Sequence, residues 1–115
     1  MFVEKSKIPQ AEEIAPMGGA GHLLLDQMSA AVRLPETVGT FAKATLAPGA
    51  EVGYHIHDTD SEASYFLSGV GEYTEDGRVY TVTAGDVTYT PMGKGHGVKN
   101  AGDEDLVFIA LILDR

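Results

Sequence analysis

His55 and His57 sit two residues apart in the run GAEVGYHIHDTDSEASYFLSG, Gly49 to Gly69. The flanking residues read as a strand, and side chains at i and i+2 of a strand share one face. Both imidazoles can therefore converge on a single point. Glu62, five residues beyond His57, can bring a carboxylate to the same point. A second run, GDVTYTPMGKGHGVKN from Gly85 to Asn100, adds His96 among prolines and glycines. Three imidazoles and one carboxylate are a donor set for a first-row transition metal. The fold is then expected to bring these two distant runs together.

The rest of the chain bounds what such a site can serve. At 115 residues with 43% hydrophobic content, one globular domain with a small core is expected. Seventeen acidic against 8 basic residues give a net charge of −9. Nucleic-acid binding needs clustered Lys and Arg, and an anionic membrane surface needs the same, so neither partner is expected. There is no cysteine. Disulfides, thiolate metal sites and a cysteine nucleophile are thereby excluded, which fits a reducing compartment. The N-terminal MFVEKSKIPQAEEIAP has no apolar core of signal length, and no apolar run approaches the ~18 residues of a membrane span. The expectation is a soluble, cytoplasmic protein.

Turn residues recur at short, regular intervals. Residues 1–20 read as an irregular N-terminal arm or edge strand, with one helical turn at most over Ala11–Ile14, because Pro9, Pro16 and Gly18-Gly19 break any helix. Residues 21–115 read as the barrel domain. Strands are expected over His22–Met28, Thr37–Leu46, Glu51–His57, Ala63–Leu67, Gly71–Thr74, Arg78–Thr83, Val87–Thr90, His96–Asn100 and Leu106–Leu113. Asp76-Gly77 is a hairpin signal. Asp58–Ser61 reads as a polar connection. Nine or ten short strands with no helical heptad point to an all-β sandwich or barrel.

The two histidine runs resemble the paired motifs of the cupin superfamily. Gly49, His55, His57, Glu62 and Gly69 match G(X)5HXH(X)3–4E(X)6G, and Gly85, Pro91, Gly93, His96 and Asn100 match G(X)5PXG(X)2H(X)3N, with every fixed position filled. The resemblance implies a single-domain jelly-roll β-barrel, a frequent dimer, and a divalent metal held by His55, His57, Glu62 and His96. Mn, Fe, Ni, Co, Cu and Zn all occur in such sites. Four ligands of this kind leave a single positive charge on a divalent ion, and an octahedral geometry leaves two positions open. A keto acid, hydroxy acid or dicarboxylate could fill them, with the ion as Lewis acid and template. The lack of thiolate disfavours copper(I) and structural zinc.

Two functions follow. The first is a metalloenzyme acting on a small oxygen-rich substrate, oxygenase-type chemistry being favoured over decarboxylation or isomerisation. The second is a non-catalytic barrel that binds a small acid such as oxalate. No catalytic residue beyond the ligands is named by the sequence. The discriminator is a general acid or base, for example a Tyr, His22 or Lys94, within reach of the open positions. His22 reads otherwise as a surface or core residue. Tyr65, Tyr73, Tyr80 and Tyr89 read as barrel wall, Lys94 and Lys99 as solvated loop charges, and Arg78 as remote. Phe41, Phe66 and Phe108 read as core, and Asn100 as a turn hydrogen bond. Gly53, on the parity of His55 and His57, and Ser64, on that of Glu62, are expected to leave space for a ligand beside the metal. Leu106–Leu113 has no polar face, which points to an outer surface covered by a second copy and so to a homodimer.

Overall fold

The alternating, β-branched stretches form two antiparallel sheets packed face to face, in a computed structural model that describes residues 1–114. The larger sheet contains β1 (Gln10–Ile14), β2 (His22–Gln27), β3 (Val38–Leu46), β5 (Ser61–Ser68), β8 (Val87–Thr90) and β10 (Leu106–Leu113). Their order is β1-β2-β3-β10-β5-β8. The smaller sheet contains β4 (Glu51–Ile56), β6 (Val70–Glu75), β7 (Arg78–Thr83) and β9 (Gly95–Asn100), in the order β4-β9-β6-β7. One helical turn, α1 (Met28–Ala31), follows β2. The architecture is all-β, as the turn spacing implies, and is the jelly roll that the cupin resemblance implies.

Inward-facing residues come from both sheets. Leu46, Phe66, Leu106 and Phe108 of the larger sheet meet Tyr73, Val82 and Val98 of the smaller. The Phe66 and Phe108 rings pack with centroids 5.2 Å apart. β10 is flanked by β3 and β5, so its alternate residues Leu106, Phe108 and Ala110 are buried. Its outward row, Val107, Ile109 and Leu111, is apolar as well and continues into the exposed Tyr65 and Leu67 of β5.

Two expectations are corrected. Ala11–Ile14 is strand rather than a helical turn, pairing antiparallel with β2 from Gln10↔Asp26 to Ile14↔His22. The window between Pro9 and Pro16 is too short to repay helix nucleation, whereas a neighbouring strand supplies hydrogen bonds at once. Phe41 is half-buried on the outer side of β3, opposite Leu111, because the core parity of that strand falls on Ala42, Ala44 and Leu46.

Asn100 carries the turn role expected of it. Its Nδ2 donates to the carbonyls of Leu46 at 2.8 Å and Glu104 at 2.7 Å, and its Oδ1 accepts from the Gly102 N–H at 2.9 Å. The side chain thus ties the end of β3 to the turn before β10. Asn100→Ala removes these bonds and leaves the Leu46 carbonyl short of a buried partner. We expect a loss of about 2–4 kcal/mol, seen as a lower urea midpoint with unchanged slope. A shift below about 0.5 kcal/mol would show that the tie is dispensable.

Candidate metal centre

His55 lies near the end of β4, His57 just past it, and His96 on β9, the neighbouring strand, where His55 pairs directly with His96. Glu62 comes from β5 of the opposite sheet. The connection Asp58–Asp60 is just long enough to carry the chain from one sheet to the other. Strand β5 starts earlier than its apolar pattern suggests, at Ser61, so Glu62 is held by ladder pairing to Thr90 and Ile112. The four sequence-derived ligands come together with one donor atom from each, all within 4.8 Å of one another. The three imidazole rings form a nearly equilateral triangle, with centroids 4.9, 4.8 and 4.9 Å apart. His57, His96 and Glu62 are buried, and His55 is half-buried.

Each imidazole is oriented from behind. Nδ1 of His55 lies 2.8 Å from the Gly53 carbonyl, an acceptor only, so that nitrogen carries the proton. Nδ1 of His57 bonds Asp60, and Nδ1 of His96 faces Thr90 Oγ1 at 2.8 Å and Tyr73 Oη at 2.9 Å. The Nε2 atoms are thereby left for the centre. Those of His57 and His96 stand 3.0 Å apart, and Glu62 Oε1 lies 3.1 Å from the first and 3.3 Å from the second. Ser64 Oγ donates to the other Glu62 oxygen at 3.2 Å. Lone pairs converging at such distances need a shared proton or a cation between them. Outer partners that fix the Nδ1–H tautomer are what a metal-binding histidine requires. The residues present therefore fit a divalent transition ion.

Electrostatics point the same way. Burial holds the His55 imidazole below its ordinary value, against the opposing Gly53 hydrogen bond and with help from the charges of His96 and His57. Burial alone would raise the Glu62 carboxyl, but the hydrogen bond to His96 and the three neighbouring imidazoles outweigh it, and the net shift is downward. A neutral His55 imidazole and an ionised Glu62 carboxylate are the states in which these two ligands bind metal.

The ligands face a cavity of about 420 Å³ between the sheets. Ser64 lines it, as its small size suggested. Gly53 does not. A bulge sets Gly53 and Tyr54 of β4 against the single Gly97 of β9, so Val52 and His55, not Gly53 and His55, face inward. The missing Gly53 side chain serves another purpose: a Cβ there would meet the Met17 carbonyl oxygen at 2.2 Å, and one on Gly19 would meet the Glu51 carbonyl oxygen at 1.9 Å. The segment from Pro16 to Gly19 crosses β4 backbone to backbone and brings Met17 to the cavity.

The proton-transfer candidates fall elsewhere. His22 is on the surface, 2.7 Å from Glu12. Lys94 lines a separate depression with Tyr54 and Glu75. Tyr65, Tyr80 and Tyr89 are exposed. Tyr73 is inside, but its hydroxyl is engaged with Thr90 and with the rear nitrogen of His96, and burial raises its pKa. Asp60, Thr90 and Tyr73 are the functional residues that sequence reasoning missed. The titratable cavity residues besides the ligands and Tyr73 are Glu13, Asp58 and Asp60, and no Lys or Arg lines it among the described residues.

Comparison with known proteins agrees with this geometry. A cupin-domain family model matches residues 42–112. The oxalate-binding protein of Thermotoga maritima is 34% identical over 114 residues, spanning 98% of this chain and 93% of that one. The oxalate decarboxylase OxdC of Bacillus subtilis is 41% identical over 78 residues, which is 64% of this chain and only 20% of that enzyme. A solved structure of a predicted oxalate decarboxylase from Thermotoga maritima superposes with a TM-score of 0.90 at 32% identity, covering 100% of both chains.

Proposed function

This chain belongs to the cupin family, and from that premise we propose that it is a metal-dependent receptor for a small bidentate oxygen ligand of the oxalate type. The observation that carries this reading is the contrast between a complete ligand set and the position of every proton-transfer candidate the sequence offered. His22 and Lys94 are away from the cavity, and Tyr73 stands behind His96. A bound divalent ion supplies Lewis-acid positions for two ligand oxygens. His55, His57, Glu62 and His96 hold it. Gly53, Asp60, Thr90 and Tyr73 keep the Nε2 atoms turned inward, and the apolar walls exclude competing water. The name of the Thermotoga maritima relative supports oxalate as the smallest ligand of the class.

A second reading, turnover, is favoured by the Asp58 and Glu13 carboxylates on the cavity wall, which could handle a proton. One experiment separates the two. Metal-loaded protein is titrated with oxalate by calorimetry, and the mixture is then assayed for formate, carbon dioxide and remaining oxalate. The receptor reading expects saturable binding that vanishes in the metal-free protein, with oxalate recovered intact. Loss of oxalate with product release would replace it by the enzyme reading. We also read the apolar outer row of β10 with Tyr65 and Leu67 as the contact between two copies of the chain. Light scattering at micromolar concentration then gives a dimer mass.

A further inference from the structure

The cavity is larger and more apolar than an oxalate ion needs. Oxalate has six heavy atoms, and when it chelates through one oxygen of each carboxylate it extends only to the two remaining oxygens beyond the metal. A volume of about 420 Å³ falls instead in the range of roughly 300–1,000 Å³ that holds larger organic ligands. The register of the larger sheet shows where the space comes from. Glu62 pairs across β10 with Ile112, Ser64 with Ala110, and Phe66 with Phe108. Two small side chains therefore stand between the carboxylate ligand and the aromatic floor, and Leu25 and Val52 line the same cavity. The charge pattern excludes a second anionic group there. Beyond the ligands the charged groups of the wall are all acidic, and a carboxylate set against Ala110 and Phe108 would lose its water without gaining a partner.

We infer that the ligand of this site has a chelating pair of oxygens at one end and a neutral, apolar body of several carbons at the other, the body lying over Ser64 and Ala110. A 2-oxo acid with a branched aliphatic side chain has this form. The inference rests on the receptor reading given above, whose metal chelates the oxygen end, and adds the selectivity that the walls impose.

The test uses the full chain loaded with cobalt(II), with the visible absorption of the ion and calorimetry as readouts. Oxalate, pyruvate, 4-methyl-2-oxopentanoate and 2-oxoglutarate are compared. Pyruvate and 4-methyl-2-oxopentanoate share one chelating head, so their ratio isolates the body. Each added buried methylene strengthens binding about fourfold, so the three added carbons give an expected gain over pyruvate of up to about 60-fold. 2-Oxoglutarate, similar in length but ending in a carboxylate, binds no better than pyruvate. Ala110→Leu fills the space and abolishes the gain over pyruvate. Equal affinities for the two oxo acids, or a preference for 2-oxoglutarate, with oxalate still bound, would overturn this inference and leave the receptor reading standing. Failure of every chelator to alter the cobalt spectrum would overturn both. The wild-type series decides the matter even if Ala110→Leu does not fold.

Discussion

A His96→Ala chain takes up no divalent metal, whereas the parent chain, purified without a metal-affinity tag, carries about one ion per chain after reconstitution. His96 is central to the cluster: its Nε2 lies 3.0 Å from that of His57 and 3.3 Å from Glu62 Oε1. Removing an outer partner of a metal ligand typically costs 10–100-fold in affinity, and removing the ligand itself costs at least about 100-fold. The variant should still fold, because Tyr73 and Thr90 keep their mutual hydrogen bond of 3.0 Å when the imidazole between them and the centre is gone. His22→Ala is the matched control, since His22 is a surface residue paired with Glu12. Metal content by mass spectrometry gives the answer. Equal occupancy in the parent and His96→Ala chains would show that the cluster is not the binding site.

Acid should empty the site. Imidazole binds metal only when neutral, so affinity falls as the solution drops below roughly pH 6. Burial delays this at one ligand: it holds His55 below its ordinary value of 6.5, so this imidazole remains neutral to lower pH than an exposed histidine. Glu62 is also held below its ordinary value of 4.5, so it stays ionised to lower pH than an exposed glutamate. The metal-free fold responds in the same direction. A group whose folded pKa is depressed contributes stability above its unfolded value and loses it as the pH falls through the folded one. His55 contributes in this way from 6.5 downward and Glu62 from 4.5 downward. Dialysis at stepped pH, with metal and urea midpoint measured at each step, should show occupancy lost first and stability falling with it. Occupancy unchanged at about pH 4 would contradict an imidazole site.

The centre was legible because its spacing is local. His55 and His57 share a face through strand parity alone, and Glu62 and His96 complete two dense motifs. Asp60, Thr90 and Tyr73 were not, since each touches a histidine through a register or turn set by the assembled sheets. Tyr73 could not be told from Tyr65, Tyr80 and Tyr89 by its neighbours in sequence. The Gly53 expectation failed for a related reason. Parity counting assumes an unbroken ladder, and the extra residue opposite Gly97 resets it. Strand assignments held where turn residues bracket them. They failed at Ala11–Ile14, where partnership with β2 decides the conformation.

Glu62 stands on one sheet, His55 and His96 stand on the other, and His57 lies just past the end of β4. A bound ion is therefore a cross-link in a chain that has no disulfide to offer. It closes the gap between β4, β9 and β5 much as a staple would, and it draws its strength from the binding equilibrium. Free metal at a thousand times its dissociation constant adds about 4 kcal/mol to the folded state. A small domain of this kind has a total stability of only about 5–15 kcal/mol. Metal supply would then govern how long the protein survives heat and proteolysis, as well as what it binds.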